Sequence, residues 1–216
     1  MMARRRTLLL RAGALAFMLA RMGASHAGSF EDFFHAVALD DARTVTQLLQ
    51  RGFDPNTVDD KGQVGLGLAL RDGSPKVAEV LMAHPQTRLD LANATDETPL
   101  LFAALRGRID WVQRLLDKGV PVNRPGWSAL HYAASGSETP IVKLLLDRGA
   151  AIDARSPTGM TPLMMAARYG AQDSAVLLWQ RGADAQLRNE GGLTPAELAR
   201  MSGRDALADK LSGGRR

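Results

Sequence analysis

Along Thr161–Gly182, TPLMMAARYGAQDSAVLLWQRG, apolar residues fall into two short helical stripes parted by a glycine. Leu163, Ala166 and Ala167 share one face of the first segment, and Ala175, Val176, Leu178 and Trp179 recur at helical spacing in the second. Thr161 can cap the first helix with its hydroxyl, and Pro162 fits the first turn, where a missing N–H costs nothing. Gly170 suits a left-handed turn ending that helix, and Gly182 stops the next. Each predicted helix has only about 8 to 10 residues, below the ~12 to 15 at which an isolated helix is marginal in water. Neighbouring segments must therefore supply the packing.

The same pattern returns along the chain. The apolar positions that begin each first helix are Phe33, Leu66, Leu100, Leu130, Leu163 and Ala196, separated by 33, 34, 30, 33 and 33 residues. Second helices end alike in Leu48-Leu49-Gln50-Arg51-Gly52, Leu115-Leu116-Asp117-Lys118-Gly119, Leu145-Leu146-Asp147-Arg148-Gly149 and Leu178-Trp179-Gln180-Arg181-Gly182. Periodicity by itself predicts a stack of helix pairs, each burying its apolar stripe against the next.

A period near 33 with Thr-Pro-Leu and paired alanines resembles the ankyrin repeat. The resemblance covers Phe30 to about Leu211. It implies an all-α repeat solenoid of helix-turn-helix units joined by β-hairpin fingers, about six units including caps. Finger tips and first helices then line a concave face. The expected plan is an N-terminal capping unit over 30–58, repeats over 59–93, 94–123, 124–156 and 157–189, a C-terminal capping unit over 190–211, and a tail at 212–216.

Departures from the repeat carry information. Glu31-Asp32 stands where Thr-Pro is expected, as suits a cap with a polar outer face. Val64-Gly65-Leu66-Gly67 replaces Thr-Pro-Leu-His; its Gly-x-Gly lacks the preceding strand and the further glycine of a phosphate loop. Ala83–Asn93 is two residues longer than its counterparts and carries His84-Pro85, which predicts a second helix ending early into an irregular finger. Arg124-Pro125-Gly126-Trp127 forms a finger three residues short, which should draw Trp127 onto the next first helix. Glu197 takes the usual His position in the thin last unit.

Charge and composition narrow the function. The 216 residues include 27 basic and 23 acidic groups, but Arg4, Arg5, Arg6, Arg11 and Arg21 all lie in residues 1–27, which hold no acid. The remainder is nearly neutral, without the basic footprint that nucleic-acid binding needs. Residues 1–27 resemble an export signal peptide: a basic start, an apolar stretch Ala12–Ala20, and Ser25 and Ala27 at the −3 and −1 positions of a cleavage site. Nine apolar residues between Arg11 and Arg21 are too few to span a bilayer, so no stable membrane insertion is expected after cleavage. Arg5-Arg6-Thr7-Leu8-Leu9 also resembles a twin-arginine motif. The expected protein is bacterial, and periplasmic or secreted. The absence of cysteine excludes disulfides and thiolate metal sites.

Candidate chemistry is sparse. His26 leaves with the leader, His35 and His84 lie in different units, and His131 holds the family position whose ring bonds backbone between repeats. No His pair has zinc-helix spacing, and Gly126-Trp127-Ser128-Ala129-Leu130 lacks the last glycine of a nucleophile elbow. Asp59-Asp60 falls where the repeat places a turn aspartate. No catalytic residue, cofactor or metal is predicted. The resemblance instead implies a monomeric module that binds a protein partner through finger and post-alanine positions. Carried onto this chain, the finger positions are Gln63, Glu97, Trp127 and Met160, and the post-alanine positions include Arg71, Arg106, Arg168 and Tyr169. Trp, Tyr and Arg are the types enriched in interface hot spots. Phe102, Tyr132 and Met165, just before the alanines, are expected to pack between repeats. The competing expectations are a cytoplasmic adaptor with a misleading basic N-terminus, and an enzyme whose site is assembled across repeats.

Overall fold

A computed structural model of the chain describes residues 28–213; the expected export signal at 1–27 and the end of the tail lie outside the described residues. The described chain is helical in pairs. Helix α1 covers residues 28–38, followed by α2 Ala42–Gln50, α3 Gly65–Asp72, α4 Pro75–Ala83, α5 Pro99–Leu105 and α6 Ile109–Asp117. Then come α7 Ala129–Ser135, α8 Thr139–Asp147, α9 Pro162–Arg168, α10 Gln172–Gln180, α11 Pro195–Met201 and α12 Asp205–Ser212. Odd-numbered helices pack on one another from α3 through α11 and form an inner layer. Second helices form the outer layer, with α2 on α4, α6 on α8 and α8 on α10.

The helix boundaries follow from local chemistry. At α9 and α11, Pro162 and Pro195 take the first turn while the Thr161 and Thr194 hydroxyls each accept the N–H three residues on, at 3.3 Å. Gly52, Gly119, Gly149 and Gly182 follow their helices with φ of 82° to 107°, a left-handed turn that a side chain would strain. One apolar core runs from Phe33 and Leu66 through Leu100, Leu130 and Leu163 to Ala196, the six positions picked out by the repeat.

Two local expectations need correction. Gly170 is not left-handed; a Cβ there would sit 1.9 Å from the Ala134 carbonyl oxygen, so the glycine permits close approach of adjacent repeats. Helix α4 does not end early, for it has nine residues like α2 and α6, and the added length lies wholly beyond it. His84 there leaves the helix in extended geometry in place of the usual left-handed glycine. The fingers are hairpin turns with almost no strand: among the described residues the isolated bridge is the antiparallel one of Val58 with Val64. Each full finger is closed by two backbone bonds: an outer one, Asp59 N–H to Gln63, Asn93 to Glu97, Ser156 to Met160 and Asn189 to Leu193, and an inner one, Gly62 N–H to Asp59, Asp96 to Asn93, Gly159 to Ser156 and Gly192 to Asn189.

Side chains reinforce these turns. Asp59 accepts from the N–H groups of Lys61 and Gln63 at 2.9 and 2.7 Å, and Asn93 accepts from those of Thr95 and Glu97 at 3.0 and 2.8 Å. The Asp59 carboxylate is thus engaged in its own turn. Gly62, Gly126, Gly159 and Gly192 supply the left-handed residue of their fingers, and Asp96, with φ 63°, supplies it in the second.

Candidate partner-binding face

Fingers and first helices bring most of the expected contact residues into two neighbouring groups. In the first, a polar chain crosses three repeats. The Asn93 amide donates to Gln63 Oε1 at 3.0 Å and to Glu97 Oε2 at 3.1 Å, while Arg71 reaches Gln63 at 3.3 Å. Arg71 also grips Asp72 through two hydrogen bonds at 2.7 and 2.9 Å, which hold the Asp72 carboxyl below its ordinary range. Glu97 accepts further from Thr95 Oγ1 at 2.8 Å and from the Tyr132 hydroxyl at 3.1 Å. Burial, helped by the Glu97 charge, pushes the Tyr132 phenol up to about 12, so it stays a donor at any working pH.

The second group surrounds the short finger. Trp127 lies edge-on to His131 and Tyr132, with ring centroids 5.4 and 6.2 Å apart. Its other side opens onto a recess with Met160 and Met165, walled by Arg168 and Tyr169 and rimmed by finger residues Asn189, Glu190 and Gly191. The Arg168 guanidinium lies over the Tyr169 ring at 5.0 Å, and Tyr169 is 56% exposed. Met160 is only 7% exposed; its sulfur meets the Asn189 amide and its carbonyl meets His131, so it forms floor and does not project as a finger position would. Arg106 is exposed on a separate shallow recess with Leu105, Gly136, Ser137 and Glu138, apart from both groups.

His131 is fully buried and holds the face in place. Its Nε2 bonds the Met160 carbonyl at 2.9 Å, which makes Nε2 the protonated nitrogen and leaves Nδ1 to accept the Ser128 N–H at 3.2 Å. Burial keeps this imidazole below its usual pKa despite the pull of the carbonyl bond. Among the described residues, no three His, Asp or Glu side chains are grouped to hold a metal ion.

Three contributors are missing from the expected set. Asn93 joins Gln63 to Glu97, and Tyr132, assigned to packing, turns its hydroxyl to the face. A tyrosine packed between repeats needs a partner for its hydroxyl, which is the signal that the sequence did offer. Arg124 is the third: it donates to the Asp96 carbonyl at 2.8 Å and the Trp127 carbonyl at 3.1 Å, and pairs with the Asp96 carboxylate at 2.5 Å. Its guanidinium thus ties the short finger to the one before it.

Stacked helix pairs with a preformed, polar-and-aromatic inner face define a repeat-scaffold protein built for protein interaction. The family model described as "Ankyrin repeats (3 copies)" matches residues 33–125 and 122–189, and the chain belongs to the ankyrin-repeat family. It is 30% identical over 62% of its length to the chicken (Gallus gallus) nuclear factor NF-kappa-B p105 subunit, of which that match covers 14%. With human (Homo sapiens) neurogenic locus notch homolog protein 4 it shares 42% identity over 37% of its length, or 4% of the relative. The match thus spans a small part of these curated relatives. Among solved structures it resembles a chain of the complex between the Bd0816 predatory endopeptidase of Bdellovibrio bacteriovorus and the immunity protein Bd3460. That likeness has a TM-score of 0.71 at 26% identity and covers 85% of this chain and 98% of the other.

Proposed function

We propose that the protein is an exported, non-catalytic binding module of a bacterial cell envelope, working in the periplasm or outside the cell, and that its finger-and-first-helix face holds a partner protein. One observation carries this most directly: Gln63, Arg71, Glu97, Tyr132, Trp127 and Tyr169 form one linked face whose polar groups are already paired and whose aromatic groups are already seated. Such a surface loses little conformational freedom on binding, so a few aromatic and arginine anchors can supply the affinity.

The partner class that fits is an exported enzyme which this chain restrains, protects or assists. Support comes from the basic, apolar start of the chain and from the likeness to a chain of an endopeptidase–immunity-protein complex. Expression in the native cell with a C-terminal tag tests both parts. Export predicts a mature mass beginning at Gly28 and a specific partner recovered from the envelope fraction. A chain retaining Met1 or Met2 in the cytoplasm, or an envelope fraction yielding no partner sensitive to the face, would remove the proposal.

A further inference from the structure

The recess beside the short finger has more chemical definition than the rest of the face. Trp127, Met160 and Met165 give it an apolar, polarisable floor, and thioethers and indole edges favour an aromatic ring over a branched aliphatic chain. Arg168 forms one wall. Among the described residues it has no ion pair, in contrast to Arg71, Arg114, Arg148 and Arg181, each of which holds a carboxylate. Its guanidinium is braced over Tyr169, a placement that fixes the plane while leaving its edge donors for a ligand. The exposed Glu190 lines the same recess from the tip of the next finger.

On the basis of the function proposed above, we infer that this recess takes an internal partner segment presenting an aromatic side chain next to an aspartate or glutamate. The ring enters over Met165 against Trp127, and the carboxylate turns to the Arg168 wall. Glu190 sharpens the choice, because a carboxylate turned toward the finger tip would face it. The recess is open to solvent, so a passing segment is accommodated without a chain end. Arg168 thereby supplies the charge preference and Trp127 the affinity.

The test uses the full mature protein labelled on methionine methyl groups and titrated with three blocked peptides, Ac-Gly-Phe-Asp-Gly-NH2, its Phe-Asn counterpart and its Phe-Lys counterpart. The Asp peptide should shift the Met160 and Met165 methyl resonances and bind about two- to fivefold more tightly than the Asn peptide, with the Lys peptide weakest. Arg168→Gln should erase the Asp-over-Asn preference while leaving the Met165 shift, and Glu190→Gln should tighten the Asp peptide by a similar factor. Equal binding of the Asp and Lys peptides, a preference that survives Arg168→Gln, or no shift at these methyls would overturn the inference. A partner recovered from the envelope that binds the Trp127 face yet ignores Arg168→Gln would sink it while leaving the proposed function standing.

Discussion

Two glycines in α3 separate a steric requirement from a tolerated one. A Cβ on Gly65 would lie 2.8 Å from the ring of Phe33, which is itself fully buried, whereas one on Gly67 would sit 3.4 Å from Phe102 in ordinary contact. Gly65→Ala should therefore cost about 1–3 kcal/mol through overpacking. Gly67→Ala should be neutral or stabilising by about 0.5 kcal/mol, since alanine is the better helix former. Urea denaturation of the two variants side by side checks the contrast. Read as sequence, Val64-Gly65-Leu66-Gly67 was a departure without a cause; the cause is a phenylalanine some thirty residues away. His131 offers a second test. Its pKa is lowered in the folded state, so the unfolded chain binds the proton more readily and stability falls as pH drops below the usual value of 6.5. That loss, measured by urea midpoints between pH 7.5 and 5, should shrink in His131→Gln, and an unchanged pH slope would contradict the buried neutral imidazole.

Among elements, the short finger is the informative one. Its missing residues and the left-handed Asp96 in the preceding finger are coupled departures, because the Asp96 side chain and carbonyl are what Arg124 grips. Arg124→Ala should lower stability by about 1–3 kcal/mol, the range for losing hydrogen bonds to a charged group, and should change the near-UV signal of Trp127. Arg124→Lys should not restore that signal, since an ammonium cannot span both carbonyls in one plane. Asp96→Gly relieves the left-handed strain yet should loosen Trp127 in the same spectrum. Sequence spacing located the deletion and drew Trp127 onto the next helix, as the 5.4 Å contact with His131 bears out. It could not reveal Arg124, whose role depends on a carbonyl in another repeat. Finger residues Gln63 and Glu97 were legible as family positions, but their link through Asn93 was not, because hydrogen bonding between turns leaves no periodic mark.

Across the whole molecule, helix pairs stack through neighbour contacts, and the outer layer is pinned by ion pairs between successive second helices, Glu79 with Arg114, Asp117 with Arg148 and Asp147 with Arg181. These exposed pairs are weakly stabilising and screened by salt. The inner layer carries the polar chain and the aromatic recess, so the two surfaces make a clean comparison for binding. The most direct measurement is the affinity of the partner recovered from the envelope for three folded proteins: wild type, Trp127→Ala and the outer-face variant Arg114→Ala, with circular dichroism confirming equal helicity. Trp127→Ala should weaken binding by roughly tenfold or more, as loss of a central aromatic anchor does, and Arg114→Ala should leave it unchanged. Binding that survives Trp127→Ala and is lost in Arg114→Ala would place the partner on the outer helices and contradict the account.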